Sequence, residues 1–224
     1  MRRLAPLPLL CLVLLASCTP QPPLPAIREP RGMANPPGDR PDIPALSLAG
    51  LPNGTVIFWK GGNTAGPIYR HTGSDLAHAA IVLYDIDLHK PTYGTMLGKT
   101  AYVYEAVPPE VRVVPFEQYK KEMEERCKHL RRKDHNFAWF LMKPKENYSF
   151  GQAAAMKLHA DSQVGRPYMI RGWWKGHEVR GIFCSELVGD IIEMSGKIKS
   201  GHTHESPGSL HDKLVPFYRE LVKP

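Results

Sequence analysis

Nine prolines fall between Thr19 and Pro44. Each removes a backbone donor and fixes φ, so this stretch can neither continue a helix nor join the interior of a sheet. Its charges are scattered and its apolar residues few. It reads as an extended, semi-rigid tether over residues 18–46. Whatever folds must begin near Leu48 and is assigned to residues 47–224, enough chain for one ordinary domain with a core that needs no staples. No internal repeat is visible.

Ahead of the tether, Arg2 and Arg3 precede a 12-residue apolar run, Leu4 to Leu15, and then Ala16-Ser17-Cys18. That is the order of a secretory signal peptide, assigned to residues 1–17. The run falls short of the roughly 20 residues a membrane-spanning helix needs, so cleavage is expected. Leu15-Ala16-Ser17-Cys18 resembles a bacterial lipobox, which implies that Cys18 is lipidated and opens the mature chain. Several acyl chains on one terminus would anchor the protein stably on a membrane without crossing it. Thr19 stands where an inner-membrane retention signal would place Asp. By resemblance to enterobacterial sorting, the expected address is the outer membrane, facing the periplasm.

Without residues 1–17 the chain has 27 basic and 22 acidic residues, a mild formal charge of +5. Much of the excess lies between Lys120 and Lys133, mixed with Glu122, Glu124 and Glu125. Nucleic-acid binding would want interleaved aromatics and a cytoplasmic address, so no nucleic-acid partner is expected. The mixed signs suit a solvated helix face, with contact to anionic lipid or envelope polymer left open. Two cysteines, Cys127 and Cys184, remain in the mature domain. In an oxidising compartment they could pair. Cys127 sits on a charged helix and Cys184 on an apolar one, so they are expected to lie beyond the ~7 Å Cα limit for a disulfide.

Gly54–Lys60, His78–Tyr84 and Thr100–Val107 are β-branched or apolar runs that read as strands, and Glu110–Val114 as a short fourth. Together they suggest an antiparallel meander joined by short turns, after a loop over residues 61–75. Helices are expected over Glu117–Lys133, over Ser149–Val164 with Ser149 as cap and Gly165 as stop, and over Cys184–Met194. The fold class is therefore α+β, a small antiparallel sheet packed against helices.

Cys184 falls in the first turn of the last of these helices, with Leu187, Val188 and Ile191 three, four and seven residues on, so it shares the buried face. A thiol there feels the positive end of the helix dipole, which favours the nucleophilic thiolate. The same pattern also suits an inert buried thiol. His78 opens a strand otherwise made of Ala, Ile, Val and Leu, where an imidazole has no packing reason to be. Glu105 alternates with Val103 and Val107, which puts a carboxylate on an apolar face, where it needs a partner. If the strands are neighbours, Glu105 can orient His78 while the other ring nitrogen faces the thiol. If that face is solvated, Glu105 is simply exposed. His202, His204, Glu205 and His211 cluster without zinc-protease spacing and read as a polar loop, so no metal is assigned. His71 and His177 lie off the predicted strands.

Gly165-Arg166-Pro167-Tyr168, followed by Cys184-Ser185-Glu186-Leu187-Val188, resembles the Gly-x-Pro-Tyr…Cys-Ser-x-Leu-Val signature of NlpC-type papain-like peptidases and amidases. The histidine strand, Ser74 to Val82, precedes the cysteine here. That order resembles the circularly permuted branch, the YiiX- and YaeF-like lipoproteins. Tyr104-Glu105-Ala106 and Ser206-Pro207-Gly208-Ser209-Leu210 resemble the same branch. Gly54-Thr55 departs from its usual Gly-Asp.

The resemblance spans about Leu51 to Leu210. It implies a papain-like fold, with Cys184 as nucleophile, His78 as base, Glu105 as the orienting residue and Tyr168 near the oxyanion. It also implies acyl transfer through a thioester without a cofactor. A cell-wall peptide or other envelope amide is the first substrate class. A lipid acyl group is the second, because the permuted branch is related to lecithin:retinol-type acyltransferases. A non-catalytic envelope lipoprotein is the third reading.

Overall fold

A computed structural model describes residues 51–61, 74–86, 100–131, 138–169, 181–199 and 206–221, all within the compact unit Asp42–Pro224. The leader, Cys18 and the proline tether lie outside the described residues, as do His71, His177, His202, His204, Glu205 and the side chain of Cys127. In chain order the elements are β1 (Thr55–Lys60), β2 (Leu76–Tyr84), β3 (Ala101–Val107), β4 (Glu110–Pro115), α1 (Phe116–Arg131) and β5 (Ala138–Pro144). After them come α2 (Phe150–Gln163), α3 (Cys184–Glu193), α4 (Pro207–Leu214) and β6 (Tyr218–Leu221).

The strands form one antiparallel sheet in the order β4-β3-β2-β1-β5-β6. β2 is buried along its whole length, which is why Leu76–Tyr84 reads, His78 apart, as a continuous apolar run rather than an alternating one. Its residues divide between two cores. Ala79, Ile81 and Leu83 join Phe58, Tyr104, Met156 of α2, Leu187, Val188 and Ile191 of α3, and Leu210 and Leu214 of α4. Ala80, Val82 and Tyr84 join Ile57, Trp59 and Val103, under Phe116, Tyr119 and Met123 of α1. The second set on α1 is spaced i, i+3, i+7, the stripe of a helix that buries one side and leaves its charges outside.

The expected meander is present as β1 to β4, but only β3 and β4 are joined by a tight turn. Residues 61–75 and 85–100 are long connections. β2 begins at Leu76, so His78 is its third residue rather than its first. Two strands and a helix had no sequence forecast. β5 is a seven-residue run and β6 has only four residues, each too short to declare itself by pattern. α4 opens with Pro207-Gly208, a pair that ordinarily marks a turn. Here Ser206 caps the helix by accepting from the Ser209 N–H at 3.1 Å, and proline at the first helical position is tolerated because its missing donor would be unpaired anyway. The cap forecast at Ser149 is observed, with Ser149 and Gln152 bonded reciprocally.

Gly54 sets the start of β1. Its φ is +83°, and a Cβ there would lie 2.5 Å from the Tyr148 ring. That ring is fixed by a 2.7 Å bond to the Tyr218 hydroxyl, which also contacts the Gly54 carbonyl at 3.1 Å. Thr55 needs no carboxylate's role, since its buried hydroxyl donates to the Pro52 carbonyl at 2.7 Å. Gly54→Ala combines left-handed backbone strain, worth about 1–3 kcal/mol, with displacement of Tyr148. The urea midpoint followed by circular dichroism should fall accordingly; an unchanged midpoint would show that the close approach is not there.

Candidate functional site

The ladder between β2 and β3 runs from Tyr84↔Ala101 to Ile81↔Tyr104 and stops, although both strands continue. β2 is held by β1 as far as Leu76↔Lys60, and β3 by β4 as far as Val107↔Glu110. The sheet is therefore split at this end. Side chains span the split: His78 Nε2 lies 2.9 Å from Glu105 Oε2. Strand alternation puts both residues on the α1 side, with Ala80, Val82 and Val103. Trp59 stacks obliquely on the His78 ring, 4.5 Å between centroids, and its indole N–H donates to Tyr119 Oη at 3.2 Å.

Cys184 is the first residue of α3 and belongs to the core on the other side of the sheet. Its thiol is free and buried. Glu186 reaches back to accept from the Phe183 N–H at 3.0 Å, which fixes the start of the helix. The Cys184 side chain lies close enough to the His78 imidazole to favour its charge through both electrostatics and hydrogen bonding. An ionised carboxylate only accepts, so the His78 Nε2–H donates to Glu105, which leaves Nδ1 as the nitrogen for sulfur. Thiol and imidazole thus come from opposite cores and meet where the sheet is split. A Cys127–Cys184 disulfide, weighed from the sequence, is not formed.

Glu105 is fully buried. Besides His78 it accepts from Arg112 Nε at 2.7 Å, and Arg112 Nη2 also reaches Glu105 and lies 2.8 Å from Glu122 of α1. Burial would raise the Glu105 pKa, but bonds and charges from His78 and Arg112 outweigh it and hold the carboxyl below its ordinary 4.5. For His78, burial opposes the charge, while Cys184 and then Glu105 favour it; the balance raises the imidazole from 6.5 to about 9.

Tyr168 is half-buried, its ring 6.0 Å from that of Phe183. Burial, then charge on Cys184, push its phenol well above 10, so it stays a neutral O–H donor. The Gly165–Tyr168 segment is pinned to the start of β4, with Val111 N–H donating to Arg166 O at 2.8 Å and Tyr168 N–H to Pro109 O at 2.9 Å. Tyr168 also bridges to Ile182, two residues before Cys184. The Ser206–Leu210 motif has a structural use as well. A Cβ on Gly208 would lie 2.4 Å from that of Ser74, whose hydroxyl accepts the Leu76 N–H at 3.2 Å, so the bare glycine lets α4 sit against the start of β2.

The structure thus brings Cys184, His78 and Glu105 together, with Tyr168 beside Cys184. His211 lies apart on α4, bonded to Glu220 at 2.8 Å and to Asp212 at 3.2 Å, and packed edge-on to Phe58 and Phe140. Trp59 and Arg112 were missed in the sequence. Arg112 could have been found: a two-residue link at Pro108-Pro109 pairs Val107 with Glu110, and counting back two places sets Glu105 opposite Arg112, as observed.

The chain matches no protein-family model and no curated protein. Among solved structures it is similar to the crystal structure of the metalloprotein YiiX from Escherichia coli O157:H7, a DUF1105 protein. The two are 17% identical with a TM-score of 0.50, and the match covers 78% of this chain and 98% of that one. The similarity extends to the fold.

The pKa shifts give a stability window. His78, raised in the folded state, contributes stability that is complete below pH 6.5 and lost as pH climbs through about 9. Glu105, lowered, contributes above 4.5 and loses it as pH falls through its folded value. Urea midpoints should therefore drop between pH 6.5 and 9.5 in the wild type and drop less in His78→Ala. Equal pH slopes for the two proteins would mean that His78 is not held as described.

Proposed function

We propose that this chain is a cysteine hydrolase of the cell envelope, built on a circularly permuted papain-like fold, that cleaves amide bonds of cell-wall peptides or related substrates. One observation carries this reading: a free thiol at the first residue of a helix lies beside, and acts on the charge of, an imidazole whose Nε2 is bonded to a buried carboxylate. An inert buried cysteine has no need of that partner chain.

In the proposed reaction the Cys184 proton resides on His78, and the thiolate attacks the substrate carbonyl carbon. The carbonyl oxygen takes the electron pair as an oxyanion. The Cys184 backbone N–H, at a helix position with no intrahelical acceptor, and the neutral Tyr168 O–H serve as its donors. Collapse expels the amine, which leaves with the proton held by His78, and forms a thioester. His78 then takes a proton from water as it attacks the thioester, returning the acid product and the Cys184 thiol. Glu105 holds the ring in one tautomer throughout.

The similarity to a metalloprotein raises the question of a metal. Among the described residues no three His, Cys, Asp or Glu side chains are grouped to hold one, and both Glu105 oxygens are engaged by His78 and Arg112. With its donors so engaged, the described Cys184–His78–Glu105 cluster does not fit a metal ion.

Purified domain should be labelled once, at Cys184, by an activity-based thiol probe, and should turn over muropeptides. Cys184→Ala and His78→Ala should reduce turnover to background, and Glu105→Gln should lose on the order of 10²-fold. Release of fatty acid from phospholipids in place of amide cleavage would move the reading to lipid-acyl chemistry. Labelling that survives His78→Ala would remove the catalytic assignment. The envelope address is tested separately: Cys18→Ala should release the protein from the membrane fraction with its fold unchanged, since a proline tether separates anchor from domain. Retention after a high-salt wash would place the anchor elsewhere.

A further inference from the structure

The fully buried Glu105 carboxylate faces two cations, and only one of them belongs to the proposed dyad. Nothing about orienting an imidazole requires the second. Arg112 nevertheless meets Glu105 from the neighbouring strand through Nε at 2.7 Å and through Nη2, a two-nitrogen geometry a lysine ammonium cannot reproduce. The guanidinium is itself held from α1 by Glu122 at 2.8 Å, and Gln118 donates to the other oxygen of that carboxylate at 2.9 Å. Arg112 and Glu122 are partly exposed, while Glu105 is not, so the buried charge has an ionic path to the surface.

We infer that Arg112 is a positioning residue of the proposed site: it keeps Glu105 ionised, and so acceptor-only, when His78 is neutral. In the proposed cycle His78 alternates between imidazolium and imidazole. While it is charged, Glu105 has a counter-ion without help. When His78 passes its proton to the leaving amine, a carboxylate with no other cation would stand buried and unpaired, and taking up a proton would be its relief. A protonated Glu105 would donate to the ring instead of accepting from it and would turn the tautomer against Cys184. Arg112, permanently charged, removes that escape. The groups facing Glu105 come from three elements: His78 on β2, Arg112 on β4, and on α1 the neutral Tyr119, with Glu122 behind Arg112; Arg126 lies farther off, over Trp59 at 4.8 Å. Of these, Arg112 is the one permanent cation bonded to the carboxylate.

The inference rests on the proposed hydrolase, so its test uses a readout independent of turnover. The Glu105 side-chain carbon is followed by ¹³C NMR across pH in Cys184→Ala protein, with and without Arg112→Gln, each checked for fold by circular dichroism. Without Arg112 the Glu105 midpoint should rise by about one pH unit or more. In protein with Cys184 intact, the acid limb of kcat/KM should move upward with it, and Arg112→Lys should restore the limb only in part. Glu122→Gln serves as a milder probe should Arg112→Gln fail to fold, and it should move the same midpoint by a smaller step. A Glu105 midpoint that does not move in folded Arg112→Gln, or in Glu122→Gln if that is the variant that folds, overturns the assignment. A midpoint that moves in a protein whose wild type has no turnover supports the electrostatic role of Arg112 and overturns the hydrolase reading alone.

Discussion

A single buried carboxylate organises this end of the molecule. Backbone pairing between β2 and β3 stops at Ile81↔Tyr104, and beyond it the strands are joined by the His78–Glu105 pair. A buried ion pair is a weak source of net stability, because desolvation consumes most of the Coulombic gain. Its value is geometric. Because Glu105 cannot reach water and has two lone-pair-bearing oxygens to satisfy, one is committed to His78 and the other to Arg112, and the imidazole has one orientation left.

The split sheet also explains how a thiol and an imidazole from different cores can meet. Along most of β2 the sheet is a wall: Ile81 and Leu83 face the α2–α3–α4 side, Val82 and Tyr84 the α1 side. A residue on one side cannot touch one on the other through a closed ladder. Where the ladder is open, the start of α3 can approach the His78 ring from behind. The local anchors keep that approach fixed: Glu186 on the Phe183 N–H, Gly208 against Ser74, and the Gly165–Tyr168 segment on the edge of β4.

Much of this was legible in the sequence for identifiable reasons. The strand runs of β1 to β4, the Ser149 cap and the apolar stripe after Cys184 depend on neighbouring residues alone, and short-range pattern fixes them. Glu105 stood out because a carboxylate on an apolar strand face demands a partner, and His78 because an imidazole has no packing role in an alanine and valine strand. What could not be read depends on distant pairing. β5 and β6 acquire strand character from β1 and from each other, and nothing in Ala138–Pro144 says which neighbour awaits it. The gap between β2 and β3 likewise depends on an element distant in sequence, since α3 packs against both strands. Arg112 lay between these cases, available to anyone counting register across the Pro108-Pro109 link.

The charge on His78 is where the thiol, the carboxylate and the split sheet act on one group. Its titration by ¹⁵N NMR, in protein labelled at histidine, tests their coupling most directly. A midpoint near 9 is expected, with the Nε2 proton retained on the neutral ring, and a lower midpoint in Cys184→Ala. A His78 that titrates at its ordinary 6.5, unaffected by Cys184→Ala, would contradict that coupling.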